Sequence, residues 1–275
     1  KPEIIHCLCE TSASTARWLA RNLNIPYLLN VNSISSRWSV INFSATRCAN
    51  IIVPAKTIAD HFISAHPKFA DRVRQINIGT FVADSTACFI HPEHLPGIVV
   101  APPVDNSASI EPLFQAFHRL TVEGCQFVVA IIASGRPEGP LWKQIRSLDL
   151  LGAVTIVPRT LGLYSADSAA DIFIAPRSSG GFNMLLLTAM SAGSAVAASK
   201  GGVDDLIIED KTALTFNSDD QLSIYNCLKR LFERPDEARR LAESAQQHLR
   251  QNHHVSGMVS AVISLYRQAV SSKIQ

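Results

Sequence analysis

Short apolar runs and amphipathic stretches alternate along almost the whole chain, and that alternation leaves few folds open to it. Apolar runs at 2–9, 26–31, 50–54 and 73–78 read as strands, and 12–22, 36–48 and 57–65 carry apolar residues at helical spacing between them. Residues 83–96 break the pattern with two prolines, two histidines and little periodicity, so a linker is expected there. The alternation then restarts. Strands are expected at 97–101, 127–133, 153–157, 172–175, 195–198 and 213–216. Helices are expected between them at 109–122, 141–148, 163–169, 182–191 and 203–208, then at 219–233, 235–251 and 255–271. Strands that alternate with helices at this spacing form βαβ units and parallel sheets, covered by helices on both faces.

The expected fold class is therefore α/β, with a doubly wound, Rossmann-like parallel sheet at 97–255. A partial α/β domain at 1–82 precedes it, and a last helix over 256–275 crosses back to that first domain. The first block carries only about three strands, thin for an independent domain of this type, so upstream sequence or a protein partner is expected to complete it. Composition agrees with a folded chain: 47% of residues are hydrophobic and 17% charged. A formal net charge of +2 gives no bulk electrostatic case for nucleic-acid binding. No apolar run approaches the ~18 residues of a transmembrane helix. The six cysteines are scattered, with no CxxC pair, which suits free thiols in a reducing compartment, and a cytoplasmic or membrane-peripheral location is expected. Asn42-Phe43-Ser44 fits a glycosylation sequon, a match that chance accounts for without a secretory signal.

The most specific stretch runs Ala175-Pro176-Arg177-Ser178-Ser179-Gly180-Gly181-Phe182-Asn183, through an apolar run to Ala189-Met190, Gly193 and Val196, and on to Lys200-Gly201-Gly202. It reads as strand, glycine loop, buried helix, strand, glycine loop, helix. A glycine loop ending at a helix N-terminus offers free N–H groups and a partial positive charge, which suits phosphate, and glycine lets a ligand approach the backbone.

This stretch resembles the retaining GT-B glycosyltransferases called group 1 or family 4, whose pattern is Pro-Ser-x-x-Glu-Gly-Phe-Gly, an apolar run, Glu-Ala-Met, a strand and a Gly-Gly loop. The resemblance extends back over the strands at 172–176 and 153–157, the helix at 112–120 and, more loosely, Pro26–Val31 and Ile78-Gly79. It implies a nucleotide-sugar-binding domain at 97–255, an acceptor-side domain before it, and transfer of a sugar to a glycan, lipid-linked or small acceptor. It implies no metal or other cofactor; the nucleotide sugar is substrate. In such enzymes the donor's own diphosphate helps deprotonate the acceptor.

The departures concern chemistry. The family's two glutamates, eight positions apart, fall at Gly180 and Thr188, which removes one carboxylate and leaves a hydroxyl for the other. Its diphosphate-binding Arg and Lys fall at Pro103 and Ala108, its Gly-x-Gly strand end reads Ala133-Ser134-Gly135, and an acceptor-side His reads Asn32. Losing one electrostatic stabiliser at a leaving group costs about 3–4 kcal/mol. Gly181, Phe182, Asn183, Gly201, Gly202 and Thr188 are the donor and phosphate candidates. Arg177 and Lys200 are the candidate replacement cations, and Arg136 and Arg159 candidates toward the nucleotide; all four lie at expected strand ends, where α/β folds bind ligands. His91, Glu93 and His94, and the adjacent His253-His254, read as loop and cap residues rather than metal ligands. Two readings follow: an active glycosyltransferase, or a catalytically inactive relative that serves as partner subunit, scaffold or glycan-binding module.

Overall fold

The computed structural model describes every residue except 1, 35–43, 45, 92, 102–106, 134–137, 159–169, 178–179, 204 and 272–275. The expected helix at 163–169, most of that at 36–48, the sequon asparagine Asn42, Pro103, Arg136 and Arg159 lie outside the described residues, as do Ser134-Gly135.

Two parallel sheets organise the chain. The first has the order β1-β2-β3-β4, from β1 (Ile5–Cys7), β2 (Tyr27–Asn30), β3 (Cys48–Val53) and β4 (Val73–Gln75). Helices α1 (Ala13–Leu23) and α2 (Lys56–Ala65) make two of its crossovers. The second has the order β10-β9-β8-β5-β6-β7. Its strands are β5 (Gly97–Val100), β6 (Val128–Ala133), β7 (Val154–Pro158), β8 (Ile172–Ala175), β9 (Ala195–Ser199) and β10 (Leu214–Phe216). Helices α3 (Ser107–Val122), α4 (Glu138–Ser147), α5 (Met184–Ala192), α6 (Gln221–Glu233), α7 (Pro235–Asn252) and α8 (Val255–Ser271) complete the described elements. Numbered within its own domain, the second sheet runs 6-5-4-1-2-3, the doubly wound order with its switch point between β5 and β8.

Burial explains the central strands. β8 is buried at all four residues and β9 at all five, so both read as continuous apolar or small-residue runs rather than alternating ones. On one side α3, α6 and β5 enclose Phe114, Phe117 and Leu228; on the other α5 and α7 enclose Leu186, Met190 and Leu249. Asp171, just before β8, fixes the incoming chain: its carboxylate accepts from Phe89 N at 2.5 Å and Gly97 N at 2.8 Å.

Helix α8 packs on the first sheet, not the second: Leu265 and Ala269 lie against Leu28 and Ile52. His6 on β1 ties it further, with Nδ1 2.6 Å from Tyr266 Oη and Nε2 2.8 Å from Asn30 Oδ1. The chain thus passes between the two units twice, side by side, where Thr80 N donates to His253 O at 2.8 Å.

Three expectations are corrected. The first sheet has a strand at each of the four runs read at 2–9, 26–31, 50–54 and 73–78, so the count of about three strands for this block is one too few. Cys48 opens β3 instead of closing a helix; Tyr27 pairs with it in register. The expected helix at 203–208 is not helical among its described residues. Val203 is buried in the first domain's core, and the Thr212 hydroxyl accepts from Ile208 N and donates to Leu206 O, which holds this segment as a looped turn.

Candidate donor and interdomain site

The carboxyl ends of the two sheets meet. Loops that follow β2 and β3 on one side touch loops that follow β8 and β9 on the other, which is where parallel α/β sheets bind ligands.

The first glycine loop, after β8, is docked by its backbone. Phe182 N donates to Asn32 O at 3.0 Å, and Ile34 N donates to Gly180 O at 2.5 Å, with Ser33 and Gly181 forming an antiparallel bridge between them. Position 180 is tight. A Cβ there would stand 3.2 Å from Ile34 O, so glycine is the residue that this approach accommodates without a shift. The Phe182 ring packs against both the second domain's core and the first's. Asn183 caps α5: its Oδ1 accepts from Leu186 N at 3.1 Å, which satisfies one of the free N–H groups of that helix end. The Thr188 hydroxyl donates to Met184 O at 3.0 Å within its own helix.

The partner segment 32–34 is itself anchored. Glu10, beyond the end of β1, accepts from Asn32 N at 3.3 Å through one oxygen and from the Ser33 hydroxyl through the other. The Asn32 side-chain amide donates to Leu8 O at 2.9 Å.

The second glycine loop, after β9, is arranged differently. Gly201 has φ +78°, and a Cβ added there would meet nothing within 4 Å. Together Ser199, Lys200, Gly201, Gly202, Ile207, Glu209 and Thr215 line a cavity of about 300 Å³. Lys200 Nζ stands 3.1 Å from Glu209 Oε1, and the Thr215 hydroxyl donates to the same carboxylate at 2.6 Å. The Thr215 hydroxyl, then Lys200, hold the Glu209 carboxyl below the usual range, so it stays ionised as pH falls toward an ordinary glutamate's pKa of about 4.3. Docking to the first domain is left to the residues just beyond: Val203 in its core, and Asp205, whose Oδ2 accepts from Lys56 N and Gln75 Nε2, each at 2.9 Å. Lys56 is the first residue of α2, so Asp205 caps that helix from across the domain boundary.

The candidate residues therefore fall into separate groups. Gly180, Gly181 and Phe182 meet the first domain, Lys200, Gly201 and Gly202 border the open cavity, and Arg177, at the end of β8, pairs with Asp219 at 2.7 Å. Ala108 sits on α3. Both members of the His253-His254 pair have backbone partners: His253 Nδ1 lies 3.0 Å from Ile78 O, and His254 Nδ1 accepts from Gly257 N at 2.9 Å. His91 and His94 flank Glu93 at the surface, and no group of three metal-ligating side chains occurs among the described residues. All six cysteines are unbridged, and burial pushes the thiols of Cys88 and Cys227 up to about 12. Sequence reading missed Glu10, Ser33 and Asp205, each of which acts on a partner distant along the chain.

Known proteins share this fold. A family profile described as "Glycosyl transferases group 1" matches residues 97–234, half of the chain. The chain belongs to that family. A sulfoquinovosyl transferase of Arabidopsis thaliana is 25% identical over 261 residues, covering 84% of this chain and 49% of its own, so the chain spans about half the length of that curated relative. In structure, sucrose-phosphate synthase of Thermosynechococcus elongatus superposes with a TM-score of 0.75 at 20% identity, covering 98% of this chain and 74% of that one. The Anabaena protein HepE, solved in complex with UDP, gives 0.78 at 15% identity, covering 97% and 79%. These superpositions carry the GT-B fold over both sheets. No helix among the described residues is long and apolar enough to cross a membrane.

Proposed function

We propose that this protein transfers a glycosyl group, with retention, from a nucleoside-diphosphate sugar to a hydroxyl on a glycan, a lipid or a small molecule. The observation that carries the reading is the open second glycine loop. A cavity of about 300 Å³ lies at the carboxyl edge of β9 and β10, bordered by a lysine ammonium and a glycine whose backbone a ligand can approach. A diphosphate needs that combination of mobile cation and exposed backbone. Lys200 is 62% exposed at its side chain, so its exchange from Glu209 to a phosphate costs little: exposed ion pairs are worth about 0–1 kcal/mol. Arg177, at the switch-point side of the sheet, is the second cation within the same edge. The Anabaena relative, solved with UDP and with UDP-glucose, supports a donor of this class. A cytoplasmic or membrane-peripheral setting suits this activity.

Calorimetry with UDP, UDP-glucose and the corresponding guanosine and adenosine compounds tests the reading. Micromolar binding of at least one, weakened by Arg177→Ala or Lys200→Ala, is the expected result. A well-folded protein that binds none of them is instead the non-catalytic relative, a partner subunit, scaffold or glycan-binding module.

A further inference from the structure

We propose that the segment Asn32–Ile34, held by Glu10, is an internal occupant of the first glycine loop: it takes the Phe182 N–H, and a donor whose diphosphate lies at the second loop and whose sugar extends along the same sheet edge to the first loop must displace it. The inference rests on the transferase reading above. Three observations carry it. First, two backbone groups of the glycine loop are already engaged. Phe182 N–H serves Asn32 O, and Gly180 O receives Ile34 N–H. One N–H in good geometry serves one acceptor well, so a donor oxygen and Asn32 O compete for the same group.

Second, the segment is held by something other than the loop it covers. Both oxygens of the Glu10 carboxylate are engaged, one by Asn32 N and one by the Ser33 hydroxyl. Charge-assisted hydrogen bonds are the strong ones, and two on one carboxylate fix consecutive residues of the segment. Glu10 thus acts through residues 32–34 and is a positioning residue.

Third, the glycine at position 180 acquires a reason. A Cβ would stand 3.2 Å from Ile34 O, so a side chain at position 180 would press on the segment and shift it by a few tenths of an ångström. Glycine at this position thus favours the contact between the two domains. Such a contact lowers apparent donor affinity by the fraction of molecules in which the segment is displaced. Releasing the segment is therefore expected to raise apparent donor affinity, by about tenfold if about a tenth of the molecules have it displaced.

Hydrogen exchange at single amides decides the matter. In the free protein the Ile34 amide is protected. Saturating UDP-glucose is expected to speed its exchange about tenfold or more, while the Leu29 amide within β2 stays protected. Faster exchange on adding ligand is the reverse of what simple binding does, and a purely structural role for the segment does not produce it. Glu10→Ala is expected to speed Ile34 exchange without ligand and to tighten UDP-glucose binding about tenfold; Glu10→Gln, which keeps the length and one acceptor, falls between. If wild type and Glu10→Ala both bind UDP-glucose while Ile34 stays as protected as before, or Glu10→Ala binds it no tighter, the occupant idea is wrong and the transferase reading stands. If neither protein binds any nucleotide or nucleotide sugar of the panel, the transferase reading itself fails and takes this inference with it.

Discussion

The two glycine loops have similar sequences and opposite surroundings. Ser179-Gly180-Gly181-Phe182 follows β8 and Lys200-Gly201-Gly202 follows β9, each at the carboxyl end of a fully buried central strand. The first loop spends its backbone on the other domain. The second leaves its glycines open, borders a cavity, and hands docking to the side chains of Val203 and Asp205. A glycine loop is thus no unit of function by itself. Its backbone groups serve whichever acceptor is closest, ligand or protein, and that is decided by what the opposite domain presents.

The largest effect expected from breaking this comparison is at Phe182. Its ring packs on both cores, so Phe182→Ala removes apolar contact from two domains at once and is expected to cost about 2–3 kcal/mol of unfolding free energy, below the range of about 3–5 kcal/mol for truncating a buried aromatic because the ring is only partly buried. Urea titration measures it. A change below about 0.5 kcal/mol would mean that the first loop is not docked as described.

Asp205→Ala tests the second loop's docking without touching its glycines. It removes the cap on α2 and the bond to Gln75, for an expected loss of about 1–2 kcal/mol. Asp205→Asn keeps an acceptor for Lys56 N and should recover most of that loss in the same titration. Nucleotide affinity should stay as in the wild type, since the residue lines no part of the cavity.

Lys200→Ala sharpens the comparison from the ligand side. UDP affinity is expected to fall about five- to tenfold, with a shallower dependence on salt, because one mobile cation is lost from an exposed site. Glu209→Gln releases the same lysine and is expected to leave UDP binding unchanged or slightly tighter. Calorimetry at two ionic strengths reads both. Equal affinity of Lys200→Ala and wild type would move the diphosphate away from the second loop.

How much of this was legible in the sequence follows from where each partner lies. β8 is bounded at Ile172 and Ala175 as read, because a continuous apolar run between Asp171 and Pro176 permits little else. Helix α8, described over Val255–Ser271, lies where the sequence reading placed a helix at about those residues. The segment 203–208 was misread for a physical reason. Val203 and Ile207 have helical spacing, but Val203 is claimed by the core of the other domain, and tertiary burial overrides local periodicity. Gly180 was legible only as a loss. That the same glycine admits Ile34, far along the chain, is a contact between backbones, and backbone contacts leave no residue-type signature. Glu10 and Asp205 were invisible on the same ground, since each accepts from a backbone N–H that every residue but proline possesses.

The smallest expected effects separate the loops most cleanly. Gly201→Ala meets no atom within 4 Å, but it places an L residue at φ +78°, at a cost of about 1 kcal/mol. Gly180→Ala has no positive φ to oppose it and costs only the few tenths of an ångström by which Ile34 O must give, a comparable loss of at most about 1 kcal/mol. The two are alike in size and unlike in origin, and a double-mutant cycle with Glu10→Ala distinguishes them. Once Glu10 no longer holds residues 32–34, the strain at position 180 has nothing to press against, so Gly180→Ala should become nearly silent. Gly201→Ala, whose cost lies in its own backbone, should stay additive within about 0.5 kcal/mol. Additivity at both positions would show that the first loop owes nothing to the segment opposite it, and the contrast between the two loops would then reduce to a difference in backbone conformation.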